Sequence, residues 1–414
     1  MPSRAKKRQR LAKTPPDTEE ERDTASTNNS ISAATTTTTT TDDKHKIFTT
    51  FALSQGITIT NVAPSLLPGR GMGLLTTAPI RSGTTIIHVP PKAMLLPRPS
   101  NNLSPQAALT SHLLHLSTTS DPRYAACATV WPTRSDFRSS LAWFAPTDRN
   151  LDYKHLFPKS LAGAYERLVV DAEHDRTALG REEGDEEFMY HWAIANTRSF
   201  SWKPAGAREG RMVICPFLDY MNHCQAGDGC EVKMDSRGYT LVANRNYDTG
   251  EEILATYGAH SNDKLLAHYG FTMPGSQDDS ISLDEIILAG KHAHKEQRHT
   301  LESVGYLGNY SLTPSTNEIC FRTQVALRTR LLTSNEWEYY MGSGDDIAND
   351  KSEEVKESLC RMIRGHIENM TDMTTKLKQV RDEGKGHTQV LSSILERWRQ
   401  IQDALQKYID PFGT

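Results

Sequence analysis

The sequence predicts an α+β fold, with two groups of short strands separated by a helical block and followed by a helical C-terminal region. Three observations predict it. Short β-branched or alternating segments, bounded by glycine and proline, occur between Ile47 and Pro97 and again between Met212 and Tyr257. Apolar residues at helical spacing fill residues 98 to about 197 between them. Beyond about residue 275 the pattern is mainly helical. At 414 residues the chain has room for more than one domain and a sizeable core.

Residues 1–45 read as a disordered tail. A basic cluster (Arg4, Lys6, Lys7, Arg8, Arg10, Lys13) precedes an acidic patch and a threonine tract, Thr35 to Thr41, with almost nothing to bury against a core. The cluster is read as a solvated tail ahead of a nuclear signal or a weak nucleic-acid contact. Ile57-Thr58-Ile59-Thr60 alternates as a strand does. Gly69-Arg70-Gly71-Met72-Gly73 reads as a glycine-dense turn, and Thr84 to Val89 as a strand stopped by Pro90-Pro91. Ser104-Pro105 reads as a cap with proline at the first helical position, ahead of Leu109, Leu113 and Leu116. Two further stripes follow, Leu161-Tyr165-Leu168-Val169 and Phe188-Trp192-Ala195, the second running up to Asn196-Thr197-Arg198. Met212 to Cys215 is strand-like, and Asp235 to Gly238 reads as a hairpin turn between Val232–Met234 and Tyr239–Val242. Glu251 to Tyr257 is a further strand. Val355-Leu359-Ile363-Ile367 and Leu391-Ile394-Trp398-Ile401-Leu405-Tyr408 read as two long helices broken at Gly384-Lys385-Gly386.

Composition removes several function classes. A formal net charge of −4 leaves no broad basic surface for nucleic acid. No apolar run approaches the ~18 residues of a spanning helix, so no membrane insertion is expected. No apolar h-region opens the chain, so no secretion signal is expected. The six cysteines include no CxxC pair and read as reduced thiols of a cytoplasmic or nuclear protein.

Four segments bear chemistry. Gly69 to Gly73 is unlike a dinucleotide loop, because Leu74-Leu75-Thr76-Thr77-Ala78-Pro79 follows where a helix would have to open. What remains is a backbone able to approach a ligand closely, or a plain tight turn. Asp219-Tyr220-Met221-Asn222-His223-Cys224 is polar within an apolar stretch. Its Asn and His either satisfy each other or present an amide and a backbone to an adenine edge. His223, Cys224 and Cys230 lack a fourth ligand at zinc spacing, so no metal is expected. Gly250 to Gly258 and Tyr269-Gly270-Phe271 place two Tyr-Gly pairs close together, which singly would be ordinary core tyrosines. No Gly-x-Ser-x-Gly and no His-Glu-x-x-His occurs.

The order Gly-x-Gly, Asn-Thr-Arg-Ser-Phe, Asp-x-x-Asn-His, Gly-Glu-Glu-Ile with Tyr-Gly, then Tyr-Gly-Phe resembles a SET-domain protein methyltransferase. It is most similar to the branch with the Rubisco large-subunit methyltransferase and the fungal ribosomal-protein lysine methyltransferases. The resemblance covers residues 46–275 and extends more loosely over 276–414, implying a helical substrate-binding-like C-terminal domain. It implies small curved sheets, a helical insertion over about 98–187, and a pseudoknot threading the Asn222-His223 strand with the segment ending at Tyr257. No cysteine-rich module follows Thr272, unlike many histone-type relatives. The implied cofactor is S-adenosyl-L-methionine. Gly71, Met72 and Gly73 would form the turn around its methionine part, and Asn222 and His223 would hold its adenine and amino-acid ends. Arg198 would support its carboxylate, with Asp219 behind that network. Tyr257 would act at the methyl-transfer site and also touch the cofactor; Tyr269 would line the lysine channel and Phe271 the cofactor pocket. Cys224 stands where many relatives have serine. The implied activity is protein-lysine N-methylation of a non-histone protein such as a ribosomal protein or translation factor. The alternatives are histidine N-methylation, for which a neutral imidazole needs less deprotonation, and an inactive SET scaffold. The implied partner is a protein offering a lysine side chain.

Overall fold

A computed structural model describes residues 41–144, 153–289, 294–346 and 351–412. The expected tail lies outside the described residues up to residue 40. From Thr41 the chain is helical: α1 (Thr41–Ser54) replaces the strand-like start expected from Ile47. Phe48 and Ala52 are buried, and Phe48 lies against Phe217 and Tyr220, with ring centroids 6.5 and 6.0 Å away. That long-range packing, absent from any local pattern, selects the helix.

Four strands follow: β1 (Thr58–Ile59), β2 (Val62–Leu67), β3 (Gly71–Thr76) and β4 (Thr85–Val89). The turn between β2 and β3 is confined to residues 68–70. Gly71, Met72 and Gly73 therefore lie in β3, paired with Leu67, Leu66 and Ser65, and not in the turn expected from the sequence.

The helical block is α2 (Pro105–Thr118), α3 (Pro122–Val130), α4 (Arg134–Phe137), α5 (Leu141–Phe144), α6 (Lys159–Ala178) and α7 (Glu186–Arg198). Ser104 caps α2 as expected, accepting the Ala107 N–H at 2.9 Å, and its own hydroxyl donates to Asp175 of α6. Leu161, Tyr165 and Leu168 of α6 and Phe188, Trp192 and Ala195 of α7 are buried, as their spacing requires.

Six short strands follow: β5 (Ser199–Trp202), β6 (Arg211–Ile214), β7 (Asn222–His223), β8 (Glu231–Asp235), β9 (Gly238–Val242) and β10 (Glu252–Ala255). The expected β8–β9 hairpin forms with Asp235 opposite Gly238. The sheets run β1-β4-β9-β8 and β2-β3-β10-β7, with β5-β6 as a separate pair. In the second sheet β10 is antiparallel to β3 but parallel to β7, with Leu254 opposite Asn222 and Ala255 opposite His223. The expected union of the Asn222-His223 strand with the segment ending at Tyr257 takes the form of this parallel pairing.

Helix α8 (Asn262–Tyr269) leads to β11 (Ile281–Ser282), α9 (Asp284–Ile287), α10 (His294–Ser303), β12 (Ser311–Thr313) and β13 (Glu318–Ile319). Then come α11 (Phe321–Arg328), α12 (Ser334–Ser343), α13 (Ser352–Asp382) and α14 (Thr388–Ile409). The three-stranded sheet β11-β12-β13 interrupts a region read from sequence as mainly helical. Its strands are two or three residues long and carry no alternation to read. The apolar stripe of α14 is buried from Leu391 to Tyr408, and α14 packs on α13. Residues 40–414 make one compact unit.

Candidate active site

The site is assembled where β10 lies between β3 and β7. Gly73 on β3 faces Asn222 on β7 and Glu252 on β10. A Cβ at Gly73 would stand 2.6 Å from Leu67 Cδ1, 2.9 Å from Asn222 Nδ2 and 3.0 Å from Glu252 Oε1. Only a residue without a side chain lets the strands close here. Gly71, at the start of β3, has φ +76° and open space beside it. Met72 between them is half-buried.

The Asn222 amide donates to Glu252 Oε1 at 2.8 Å, and Arg70 on the β2–β3 turn reaches the other carboxylate oxygen at 2.5 Å. Glu252 thus ties the hairpin to the strand carrying Asn222. Its neighbour His223 accepts the Tyr257 main-chain N–H on Nδ1 at 3.0 Å. An accepting Nδ1 requires the proton on Nε2 in the neutral ring. Burial pushes the His223 pKa below its usual value, and the nearby His260 adds to this. Asn222 Oδ1 and His223 Nε2 make no hydrogen bond among the described residues.

Tyr257 stands two residues beyond the end of β10. Its hydroxyl donates to the Met221 carbonyl at 2.7 Å, so the strand crossing fixes the ring from both ends. Burial pushes the phenol up to about 12, which keeps it protonated at neutral pH. The ring centroid lies 5.1 Å from that of His223 and 5.2 Å from that of Tyr269. Phe271 completes the group, 6.1 Å from His223 and 6.5 Å from Tyr257. Gly270 makes that possible. It ends α8 at φ +81°, a left-handed cap that returns the chain so that Tyr269 and Phe271 both meet Tyr257.

Beside the rings is a cavity of about 180 Å³, with Arg198, Phe200, Asp219, Met221, Tyr257 and Tyr269 in its wall. Arg198 donates to the Asp219 main-chain oxygen at 3.0 Å. Burial raises the Asp219 carboxyl above the usual range, while the Arg198 charge and a hydrogen bond from Trp131 pull it back.

All the cofactor and catalytic residues expected from sequence except Phe271 fall into two adjoining groups. Gly71, Met72, Gly73, Asn222 and His223 sit at the β3–β10–β7 junction; Arg198, Asp219, Tyr257 and Tyr269 wall the cavity; Phe271 bridges them by ring contact. Glu252 was within the quoted Gly-Glu-Glu-Ile, but its role as the link to Asn222 was missed. So were the Met221 carbonyl and Phe200, the last residue of Asn-Thr-Arg-Ser-Phe. Among the described residues no group of three or more His, Cys, Asp or Glu is placed to hold a metal. Cys224 and Cys230 are free thiols, and Cys230 lies 3.3 Å from the Tyr247 hydroxyl.

A parallel strand crossing with an aromatic-walled cavity beside it is the architecture of a SET fold. The SET domain family matches residues 71–258, and the chain carries a SET domain. The ribosomal lysine N-methyltransferase set11 of Schizosaccharomyces pombe is 25% identical over 278 residues, covering 66% of this chain and 71% of that protein. Human SET domain-containing protein 4 is 20% identical over 385 residues, covering 82% and 85%. The crystal structure of the SET domain of LSMT bound to lysine and AdoHcy superposes with a TM-score of 0.57 at 16% identity, covering 90% of this chain and 91% of that one.

Proposed function

We propose that the protein is an S-adenosylmethionine-dependent protein-lysine N-methyltransferase acting on a non-histone protein, with a ribosomal protein or translation factor as the substrate class. The observation that carries the reading is the placement of Tyr257. Its hydroxyl is fixed on the Met221 carbonyl, its main chain on His223, and its ring forms the wall of the cavity together with Tyr269. The ribosomal reading rests on the set11 relative.

The residues fit the cofactor. The start of β3 leaves open space beside Gly71, Asn222 Oδ1 and the His223 Nε2–H offer an acceptor and a donor, and Phe271 offers a ring face. Asn222, His223, Phe271 and the Gly71–Gly73 start of β3 would hold it, with Arg198 toward its carboxylate. When bound, it supplies a methyl group on a positively charged sulfur.

The chain's own residues prepare the amine. A lysine is protonated at neutral pH, with an unperturbed pKa of about 10.4, and attacks only when neutral. Phe200, Leu218, Met221 and the tyrosine rings make the wall largely apolar. Desolvation there disfavours the ammonium form. The Tyr257 hydroxyl spends its proton on Met221, so its oxygen is left as an acceptor that can orient an amine N–H. Positioning of this kind accounts for up to ~7–11 kcal/mol in ideal cases.

The residues from 276 onward are read as a substrate-binding region, and the cytoplasm or nucleus as the location. The six free cysteines support the latter. Among the described residues no helix is long and apolar enough to cross a membrane.

The test is transfer of labelled methyl groups from S-adenosylmethionine to proteins of a cell extract, followed by mass spectrometry of the labelled residue. Wild type is expected to label a discrete band on lysine. Tyr257→Phe is expected to lower the rate at least tenfold, the equivalent of about 1.4 kcal/mol of transition-state stabilisation. Equal labelling by both proteins removes Tyr257 from the mechanism, and methylhistidine in the product replaces the lysine reading.

A further inference from the structure

Tyr269 is the last residue of α8, and the turn that carries it is tied to the last turn of α7 by two hydrogen bonds. The final bond within α8 runs from the Gly270 N–H to the Leu266 carbonyl, so the His268 carbonyl needs a partner from outside the helix. Asn196 supplies it, its Nδ2 donating to that oxygen at 3.0 Å. The other amide atom, Asn196 Oδ1, lies 3.0 Å from His268 Nδ1. A main-chain oxygen only accepts, so the amide stands one way round and Nδ1 must carry the imidazole proton. The ring is neutral, because burial carries its pKa down to about 4, with the nearby Lys264 charge adding to this. Each residue of the pair thus gives one hydrogen and accepts one.

The pair joins two sides of one cavity. Asn196 stands two residues before Arg198 and His268 one before Tyr269, and Arg198 and Tyr269 both line the cavity beside Tyr257. The α7 side is held without Asn196. Trp192 to Ala195 are fully buried, Arg198 donates to the Asp219 main-chain oxygen, and the chain from Ser199 enters the β5–β6 ladder. The α8 side has less to hold it. The Tyr269 hydroxyl makes no hydrogen bond among the described residues. Its ring rests against those of Tyr257, Phe271 and His260, with centroids 5.2, 6.3 and 6.4 Å away. Where Tyr269 stands is therefore decided by its main chain, and Asn196 fixes the carbonyl just before it. Phe271 keeps anchors of its own, since Gln400 holds Thr272 and Asn262 holds Met273.

We propose that Asn196, acting through His268, is a positioning residue that holds Tyr269 in the wall of the cavity where the substrate amine is methylated. The inference rests on the lysine methyltransferase reading for what occupies the cavity. Methyl transfer needs the amine in line with the bond that breaks, and a misplacement of ~1 Å can cost about a hundredfold in rate. A loosened Tyr269 therefore lowers the rate of transfer more than the affinity for either guest. Asn222, His223 and the start of β3, the groups read as holding the cofactor, lie on strands to which Asn196 makes no bond.

The test compares the full chain as wild type, Asn196→Ala and His268→Asn. Asn196→Ala removes both bonds. His268→Asn leaves the main-chain carbonyl and carries an amide N–H where the Nδ1–H stood, so it preserves both. Hydrogen exchange read by mass spectrometry is expected to speed up at least tenfold over residues 266–271 of Asn196→Ala, with β5 and β6 unchanged. The maximum rate of labelled methyl transfer to the band of a cell extract is expected to fall at least tenfold in that variant. The extract dilution giving half that rate, and S-adenosylhomocysteine affinity by calorimetry, are expected to stay within threefold. His268→Asn is expected to stay within threefold of wild type in every reading. Should Asn196→Ala not fold, Asn196→Asp, equal in size but without the Nδ2 donor, takes its place with the same expectations. Unchanged exchange over 266–271, faster exchange spread evenly along the chain, or an unchanged rate despite faster local exchange each overturns the proposal. So does a loss of S-adenosylhomocysteine affinity as large as the loss of rate, or a His268→Asn variant as impaired as Asn196→Ala. Exchange and methyl transfer are read separately. Faster local exchange in Asn196→Ala with no lysine methylated even by wild type keeps the hold on Tyr269 and removes the lysine methyltransferase reading.

Discussion

Replacing Arg397 with leucine is expected to destabilise the whole body of the protein and to blunt the site without touching it. Arg397 is fully buried on α14. Its Nε and Nη2 donate to the two oxygens of Asp263, each at 2.9 Å, and its Nη1 and Nη2 donate to those of Asp279 at 2.8 and 3.1 Å. Those two aspartates bracket the stretch that carries Tyr269, Gly270 and Phe271. Asn262 and Gln400 bind into the same cluster, and Gln400 also holds Thr272 at 2.9 Å. Arg397→Leu leaves two buried carboxylates with no counter-ion, a change that costs ~3–5 kcal/mol when one partner of a buried ionic pair is removed. A typical protein has only ~5–15 kcal/mol of stability in total. With an unfolding entropy of ~2.1 cal/mol/K per residue, a body of about 370 residues loses about 1.3 °C for each kcal/mol, so the midpoint should fall by about 4–6 °C. Scanning calorimetry at pH 7 measures this. Adding Asp263→Asn and Asp279→Asn to Arg397→Leu removes the stranded charges and should restore part of the loss. Methyl transfer by the folded Arg397→Leu protein should drop as well, because Tyr269 and Phe271 lose the anchor at both ends of their segment. A midpoint within 1 °C of wild type, or a triple variant less stable than the single one, refutes the reasoning.

Gly73→Ala should weaken S-adenosylhomocysteine binding at least tenfold by calorimetry and lower stability by about 1–3 kcal/mol, the usual range for overpacking; its Cβ has no room between Leu67, Asn222 and Glu252 and must displace Asn222, and unchanged affinity would show that this junction is not part of the cofactor site. For the pH profile, log kcat/KM should climb with unit slope between about pH 7 and 9, as the neutral fraction of a lysine with a pKa near ~10.4 grows. Tyr257 titrates near 12, above that range, so no downturn should appear below pH 10. His223, with its pKa lowered below the usual imidazole value, is mainly neutral at pH 7 and above, so cofactor affinity should be flat from pH 7 to 8; a fall in affinity on going from pH 8 down to pH 7 would show that the ring is charged.

Much of the site was legible in the sequence because its residues are named by short runs. Asn222-His223, Gly-Glu-Glu-Ile with Tyr257, and Tyr269-Gly270-Phe271 each carry their chemistry within a few positions, and the structure brings them within ring or hydrogen-bond contact. The long stripes of α6, α7, α13 and α14 were equally plain, since an apolar face at 3.6-residue spacing has one economical fate. Helix α1 was not legible: its few apolar positions form a face only against Phe217 and Tyr220, about 170 residues away. The start of β3 was misread because glycines mark turns more often than they mark strands that must pack without side chains.

The sequence by itself determined which functional groups the protein owns and the local elements that carry them. A tyrosine, an amide, an imidazole and a helix stripe are decided by residue type and spacing within about one turn of helix or one hairpin. Tertiary structure alone decided which of these groups meet. Arg397 faces Asp263 from 134 positions away, Glu252 reaches Asn222 from 30, and Asn196 meets His268 from 72. Such pairings depend on how packed elements close on one another, and a charge or a hydrogen-bond donor leaves no periodic mark along the chain that would show in advance where its partner lies.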